Sequence, residues 1–163
     1  MTMPHFLASL IILIFIQGGP VRAEPTATPD FLLPTRSGMV SPADLKGKVI
    51  YLDFWASWCS PCRKSFPWLN QIQAQYRDQG LVVLGINLDR DRQLADRFLQ
   101  LIPANFIIAF DPEGRSADSF AIRGMPSSFL IDRNGYLHSK HTGFRERDKN
   151  GREQAIAQLL SEP

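Results

Sequence analysis

The chain has 163 residues and carries 18 Lys and Arg against 16 Asp and Glu, so its formal net charge at pH 7 is only +2. This near balance offers no electrostatic basis for binding nucleic acid or an anionic membrane surface. The length suits one domain with a full hydrophobic core, and two cysteines are too few for a small fold stapled by disulfides.

The N-terminus carries the features of an export signal. Residues 6–16 form an uninterrupted apolar run, too short for an ordinary spanning helix but typical of the hydrophobic region of a secretory signal. Small residues precede a cleavage point after Ala23, whereas residues 1–5 contain no Lys or Arg, which leaves an uncleaved anchor open. Either way we expect export, with residues 1–23 as signal peptide or membrane anchor and residues 24–163 as the folded domain.

The rest of the chain alternates between strand and helix patterns. Apolar runs bounded by turn residues predict strands, and apolar residues three and four apart predict helices. In chain order these patterns predict a strand at 31–33, a helical turn at 41–44, a strand at 49–55, a helix with a buried stripe from Cys62 to Tyr76, a strand at 81–87, a helix at 91–102, a strand at 106–110, a short helix at 116–122, strands at 127–132 and 136–142, and a helix at 152–160. This order predicts a three-layer α/β/α domain with a central mixed sheet.

The predicted helix at 91–102 has an amphipathic pattern. Its apolar residues recur at spacings of three and four. We expect Leu94, Phe98 and either Leu101 or Ile102 to face the sheet.

Both cysteines lie in one motif, Trp58-Cys59-Ser60-Pro61-Cys62, directly after a predicted strand. A strand that delivers such a pair to a helix N-terminus places Cys59 near the positive end of the helix dipole, where a thiolate is stabilised. Cys62 lies one turn further in and is close enough to attack a mixed disulfide on Cys59. Because Ser60 is small, the pair should be accessible. The motif predicts reversible disulfide exchange, with Cys59 as nucleophile, Cys62 as resolving residue and Trp58 as an apolar lip beside them.

Asp53 is an acidic residue inside the predicted buried strand at 49–55. Burying an ionised carboxylate is costly, so burial should raise the pKa of Asp53. Six residues before Cys59, this carboxyl is placed to lie beneath the dithiol and to pass a proton to or from Cys62. The alternative is a structural carboxyl that is hydrogen-bonded to Lys48 or to a hydroxyl group.

Other uses of the cysteine pair need further ligands. In the mature part of the chain the candidates for a zinc or copper site are His138 and His141, which at a spacing of three on a strand point to opposite faces. We therefore expect no metal and no bound cofactor. A copper-binding metallochaperone that uses the cysteine pair, and a non-catalytic interaction module, remain as alternatives.

Three parts of the sequence together resemble a known family. Residues 53–62 (DFWASWCSPC), Pro67 and residues 124–132 (GMPSSFLID) resemble the thioredoxin superfamily and, more narrowly, its exported TlpA/ResA-type thiol-disulfide oxidoreductases. The resemblance covers nearly the whole mature chain. It implies that the peptide bond before Pro126 is cis and that this loop lies against the cysteine pair. Substrate backbone would then pair at Pro126 and Met125.

The resemblance also implies details of the fold. It implies a thioredoxin-like fold in which a strand pair before Lys48 forms an N-terminal extension and the segment 89–110 forms a central insert. ResA-like relatives often carry an acidic residue just after the second parallel strand, and Asp89 is an approximate match. They commonly lack a buried strand aspartate, whereas this chain has Asp53.

Partners and direction follow from the same resemblance. It implies protein disulfides as substrates, apocytochrome c or copper-site proteins among them, and a membrane dithiol electron donor of the DsbD or CcdA type. We expect a monomer. The dipeptide Ser60-Pro61 lacks the histidine of the strongest oxidants. With Asp53 beneath the pair, we expect a reductant whose potential lies nearer thioredoxin, at about −270 mV, than DsbA, at about −120 mV.

Overall fold

A computed structural model describes residues 25–162, so the predicted signal or anchor at 1–23 lies outside the described residues. No helix in the described part of the chain is long and apolar enough to cross a membrane. The elements are β1 (Leu33–Pro34), β2 (Met39–Val40), β3 (Val49–Trp55), α1 (Ser60–Tyr76), β4 (Leu81–Asn87), α2 (Arg92–Leu101), β5 (Ile107–Phe110), α3 (Arg115–Ser119), β6 (Ser127–Ile131), β7 (Leu137–Thr142) and α4 (Lys149–Ser161).

Five strands form the central sheet in the order β5-β4-β3-β6-β7. β3, β4 and β5 run parallel, while β6 is antiparallel to β3 and β7 is antiparallel to β6. β3 lies in the middle, and all of its residues are buried, which explains its nearly continuous apolar sequence. β1 and β2 form a separate two-stranded sheet, the N-terminal extension, and the segment 89–110 supplies α2 and the edge strand β5.

The sheet has a hydrophobic core on each face. One core contains buried residues of α1, α2 and α4, and the other contains residues of the β1-β2 sheet together with Phe120, which follows α3. Side chains of β3 alternate between the two cores, with Val49, Tyr51 and Trp55 on the first face and Ile50, Leu52 and Phe54 on the second. Asp53 therefore faces the same layer as α1, which carries the cysteine pair. The three-layer α/β/α prediction is confirmed.

α2 turns a different face to the sheet from the one expected. Ala95, Phe98 and Leu99 are buried, whereas Leu94 is 39% exposed, so its expected inward position is wrong. Of the alternatives Leu101 and Ile102, it is Ile102 that packs, partly buried, against the core, while Leu101 is 76% exposed. The Phe98 ring lies 4.8 Å from the Trp55 ring and 4.9 Å from the Phe66 ring, measured between centroids. These aromatic contacts set the rotation of the helix, and a small alanine completes the buried stripe.

The first strand is also shifted from its predicted position. The prediction placed it at 31–33, but β1 covers Leu33–Pro34 and pairs with β2. Phe31 instead packs, partly buried, against the second core. Burial of an aromatic side chain in a loop accounts for the apolar run there, so apolar character alone gave the wrong strand bounds.

Candidate active site

Cys59 and Cys62 are joined by a disulfide, with an S–S distance of 2.05 Å. Cys59 is the N-cap of α1, and its Sγ accepts a hydrogen bond from the backbone N–H of Cys62 at 3.2 Å. Pro61 lies in the first turn, where its missing N–H costs nothing, and no acidic residue occupies that turn. A thiolate at Cys59 would therefore lie at the positive end of a 17-residue helix.

The cysteine pair is less accessible than expected. Cys62 is fully buried and Cys59 is only 3% exposed, because both belong to the core on the α1 face. The exposed neighbour is Trp58, at 70%. The role of Trp58 as an apolar lip stays a prediction, while the expectation of an open dithiol is wrong for the oxidised form.

Asp89 holds the loop that precedes Cys59. Its buried carboxylate accepts hydrogen bonds from the backbone N–H and the hydroxyl of Ser57, both at 2.8 Å, and from the side-chain amide of Asn87 at 2.8 Å. β4 ends at Asn87 and runs parallel to β3, so the loops that follow the two strands meet at one edge of the sheet. Asp89, the approximate match to the acidic residue of the family, thus anchors the cysteine loop through Ser57.

Asp89→Ala is expected to destabilise the oxidised protein by about 1–3 kcal/mol, because it leaves the partly buried donors of Ser57 and the buried amide of Asn87 without a partner. Denaturant unfolding would measure this loss. Glu113→Ala is the matched control, since Glu113 forms only an exposed ion pair with Arg115 and its loss should change little. Equal stability of the two variants would contradict the anchoring role.

The second motif lies at the same end of the sheet. The Met125–Pro126 peptide bond is cis. The carbonyl of Pro126 accepts a hydrogen bond from the N–H of Gly143 at 2.8 Å, which ties this loop to the segment after β7. Met125 packs, partly buried, against the core that contains both cysteines. Because Ser127 pairs with Phe54, the fold places Met125 and Pro126 at the end of β3 from which the cysteine loop leaves the sheet.

Asp53 lies opposite Gly85 of β4 and Ser128 of β6. Its Oδ1 accepts a hydrogen bond from the Ser128 hydroxyl at 2.6 Å, while its buried Oδ2 has no hydrogen-bond partner among the described residues. Burial raises the pKa of Asp53 to about 7, and the Ser128 hydrogen bond and the charge of Arg152 act in the opposite direction. The raised pKa agrees with the expectation from the sequence, and the partner is a hydroxyl rather than Lys48.

Arg152 of α4 is a buried cation close to Asp53. It is 5% exposed, and its guanidinium donates to the Tyr51 hydroxyl at 3.0 Å and to the Gly143 carbonyl at 2.9 Å. Tyr51 lies two residues from Asp53 on the same face of β3, and burial raises the pKa of Tyr51 to about 12, so its hydroxyl stays neutral. Arg152 thus connects the surroundings of Asp53 with the loop that binds the Pro126 carbonyl.

Sequence reasoning assigned no role to Arg152 or Ser128. Arg152 precedes Ile156 by four residues and Leu159 by seven, so helical spacing places it on the buried face of α4. This spacing could have identified Arg152 as a buried cation. Ser128 lies in the motif at residues 124–132, but its hydrogen bond to Asp53 depends on the register between β3 and β6.

The two histidines lie on opposite faces of β7, as their spacing predicts. His138 is exposed, while His141 is half-buried and lies within 3.3 Å of the Ser139 hydroxyl. Burial lowers the pKa of His141, and the positive charge of Arg152 adds to this effect. Within residues 25–162 there is no group of three or more His, Cys, Asp or Glu side chains that could hold a metal ion.

Comparisons with known proteins extend over most of the chain. The Redoxin family model matches residues 23–159. The thiol-disulfide oxidoreductase ResA of Geobacillus thermodenitrificans is 30% identical over 130 residues, which cover 79% of this chain and 74% of the relative. ResA of Bacillus subtilis is 29% identical over 122 residues, which cover 74% of this chain and 68% of the relative.

Solved structures show the same similarity. A candidate thiol:disulfide interchange protein DsbE from Chlorobium tepidum superimposes with a TM-score of 0.82 at 50% identity, covering 84% of this chain and 97% of that one. The exposed lipoprotein thioredoxin Etrx1 of Streptococcus pneumoniae superimposes with a TM-score of 0.70 at 30% identity, covering 80% of this chain and all of that one.

Proposed function

We propose that this chain, which belongs to the Redoxin family and is a ResA-like thiol-disulfide oxidoreductase with a thioredoxin-like fold, works as an exported reductase of protein disulfides. The comparisons confirm the family, the fold and the oxidoreductase activity that the sequence motifs predicted. The observation that carries the proposal is the Cys59–Cys62 disulfide at the N-terminus of α1, where a released thiolate would be stabilised.

In the proposed reaction the reduced Cys59 thiolate attacks one sulfur of a client disulfide. The client S–S bond breaks, one client thiolate leaves, and a mixed disulfide to Cys59 forms. The Cys62 thiolate then attacks the Cys59 sulfur and releases the second client thiolate. Two electrons and two protons pass to the client, and the Cys59–Cys62 bond is restored.

We assign Asp53 the role of proton carrier to and from Cys62. Its raised pKa of about 7 suits this role, because such a carboxyl can both release and accept a proton near neutral pH. Trp58, Met125 and Pro126 are assigned to client binding. The exposed Trp58 ring supplies apolar contact, and the loop of Met125 and Pro126 supplies backbone for the client to pair with.

The direction we propose is reduction. The dipeptide between the cysteines contains no histidine, and a buried carboxyl lies on the same face of the sheet as the pair. The protein would act outside the cytoplasm, with residues 1–23 as signal peptide or anchor and residues 24–163 as the domain that acts there. A membrane dithiol carrier of the DsbD or CcdA type would supply electrons. Apocytochrome c and copper-site proteins are the proposed clients.

The reduction potential tests the direction. We expect a value nearer about −270 mV than about −120 mV when the full chain is equilibrated in glutathione or dithiothreitol redox buffers. The fraction of reduced protein can be followed by thiol alkylation and intact mass. A potential above about −180 mV would overturn the reductase assignment and leave an oxidant or isomerase in its place.

A further inference from the structure

Two arginines lie on the α2 side of the cysteine loop. Arg63 donates from its guanidinium to the Ser57 carbonyl at 3.2 Å, two residues before Cys59. Arg90 directly follows Asp89, whose carboxylate is bonded to the same Ser57. Both arginines are exposed, so the cysteine loop has two cations on this side.

Two further arginines lie on the opposite side of the cysteine pair. Arg123 lies two residues before Met125, in the loop that ends at the cis peptide bond. Arg145 lies two residues after Gly143, whose N–H is bonded to the Pro126 carbonyl. Both are exposed. We call Arg63, Arg90, Arg123 and Arg145 the arginine collar.

The acidic residues of these segments form no ion pair with the arginine collar. None of its four members takes part in an ion pair among residues 25–162. Asp89 is buried and bonded to Ser57, Asp91 caps the N-terminus of α2, and Glu146 is paired with Lys149. The segments on both sides of the reactive disulfide therefore present four exposed guanidinium groups that form no ion pair within residues 25–162.

We propose that the arginine collar selects client proteins whose reducible disulfide is flanked by acidic residues. This inference rests on the proposed reductase function and names its substrate class. Complementary charge raises the rate of encounter and disfavours partners of like charge, and the effect weakens as salt screens exposed groups. A client protein is favoured over an anionic membrane because the arginines lie in the segments on both sides of the Cys59–Cys62 bond, which a client disulfide has to reach.

The test uses single turnover, which needs no electron donor. The chemically reduced full chain is mixed with one of three peptides that share a disulfide and differ only in two flanking positions: Glu, Gln or Lys. We expect the second-order rate constant for the Glu peptide to exceed that for the Gln peptide about tenfold at about 0.02 M salt, with the Lys peptide slowest. At about 1 M salt, where the screening length is about 3 Å, the three constants should converge to within about twofold.

A charge-reversal variant tests whether the arginine collar causes the preference among the peptides. The double variant Arg90→Glu/Arg123→Glu should invert the order of the Glu and Lys peptides. The matched control Lys46→Glu/Lys48→Glu makes the same change in net charge at exposed positions just before β3, at the end of that strand opposite to the cysteine loop. It should keep the wild-type order of the peptides. Circular dichroism would verify that both variants are folded, and the salt series on the wild-type chain tests the proposal without any variant.

The outcomes separate the two proposals. Reduction of all three peptides at equal rates would overturn the collar inference and leave the reductase function intact, whereas reduction of none would overturn the reductase function itself. Loss of the preference in the control variant would show that net charge, and not the collar, is responsible, which also overturns the inference. The inference would also be overturned if the protein sedimented with phosphatidylglycerol vesicles and showed no preference among the peptides. The arginine collar would then be a membrane contact.

Discussion

Cys59→Ala is expected to reduce insulin-disulfide reduction to the rate of the uncatalysed reaction, because it leaves Cys62 as the only thiol of the chain and that residue is fully buried. Cys62→Ser is expected to keep the first attack and lose the second, so mixed disulfides with clients should accumulate. Insulin turbidity measures the first result. Intact mass spectrometry of non-reduced samples measures the second and identifies the captured clients.

Ser60→Ala is the control for both cysteine variants, since it alters the same helical turn and keeps both thiols. It should retain turnover. Retained turnover in Cys59→Ala, or equal trapping by Cys59→Ser and Cys62→Ser, would contradict the assignment of nucleophile and resolving residue. Trapping from an extracytoplasmic extract with Cys62→Ser would also identify the clients directly.

Asp53→Asn is expected to lower kcat about 100-fold at about pH 7.5, the low end of what a positioned general base contributes, with little change in KM. Because the pKa of Asp53 is raised to about 7, this carboxyl is protonated below that pH and becomes a base above it. The wild-type rate should therefore increase as pH rises through about 7, and the rate of the variant should not. Steady-state kinetics between about pH 5.5 and about pH 9 would measure the difference.

Arg152 provides the matched variants for this profile. Its charge favours the ionised form of Asp53, so Arg152→Met should raise the pKa of Asp53 further and move the rise in rate to higher pH. Arg152→Lys retains the charge and should leave the profile near its wild-type position. A pH profile that is the same in wild type, Asp53→Asn and Arg152→Met would make Asp53 a structural carboxyl.

As pH rises, the free energy of unfolding should fall while the activity rises. A carboxyl whose pKa is higher in the folded protein than in the unfolded chain stabilises the fold at low pH, and this contribution is lost as pH rises through about 7. The side-chain amide introduced by Asp53→Asn cannot be ionised, so that variant should be more stable than wild type above this pH. The difference between a pKa of about 7 in the folded protein and the ordinary value of 3.8 for the unfolded chain corresponds to at most about 4 kcal/mol, which denaturant unfolding at low and high pH would detect.

The strands of the central sheet and the cysteine helix were the parts of the fold that the sequence predicted well. β3 and β4 match the predicted ranges 49–55 and 81–87 at both ends, because central parallel strands are buried on both faces and read as continuous apolar runs. The rotation of α2 was not predicted, since the aromatic contacts of Phe98 with Trp55 and Phe66 decide it and no local spacing encodes them.

The cysteine chemistry of this protein can be read from its sequence, because Cys59 and Cys62 lie in one short motif at a strand-to-helix boundary and local structure alone places them at a helix N-terminus. The residues that surround the pair depend on tertiary contacts. Ser57 and Asp89 are 32 residues apart in the chain, Asp53 and Ser128 are 75 apart, and Tyr51 and Arg152 are 101 apart. Such contacts arise only when strand register and helix packing bring distant segments together, so the surroundings that position the loop and tune Asp53 could not be read from local pattern.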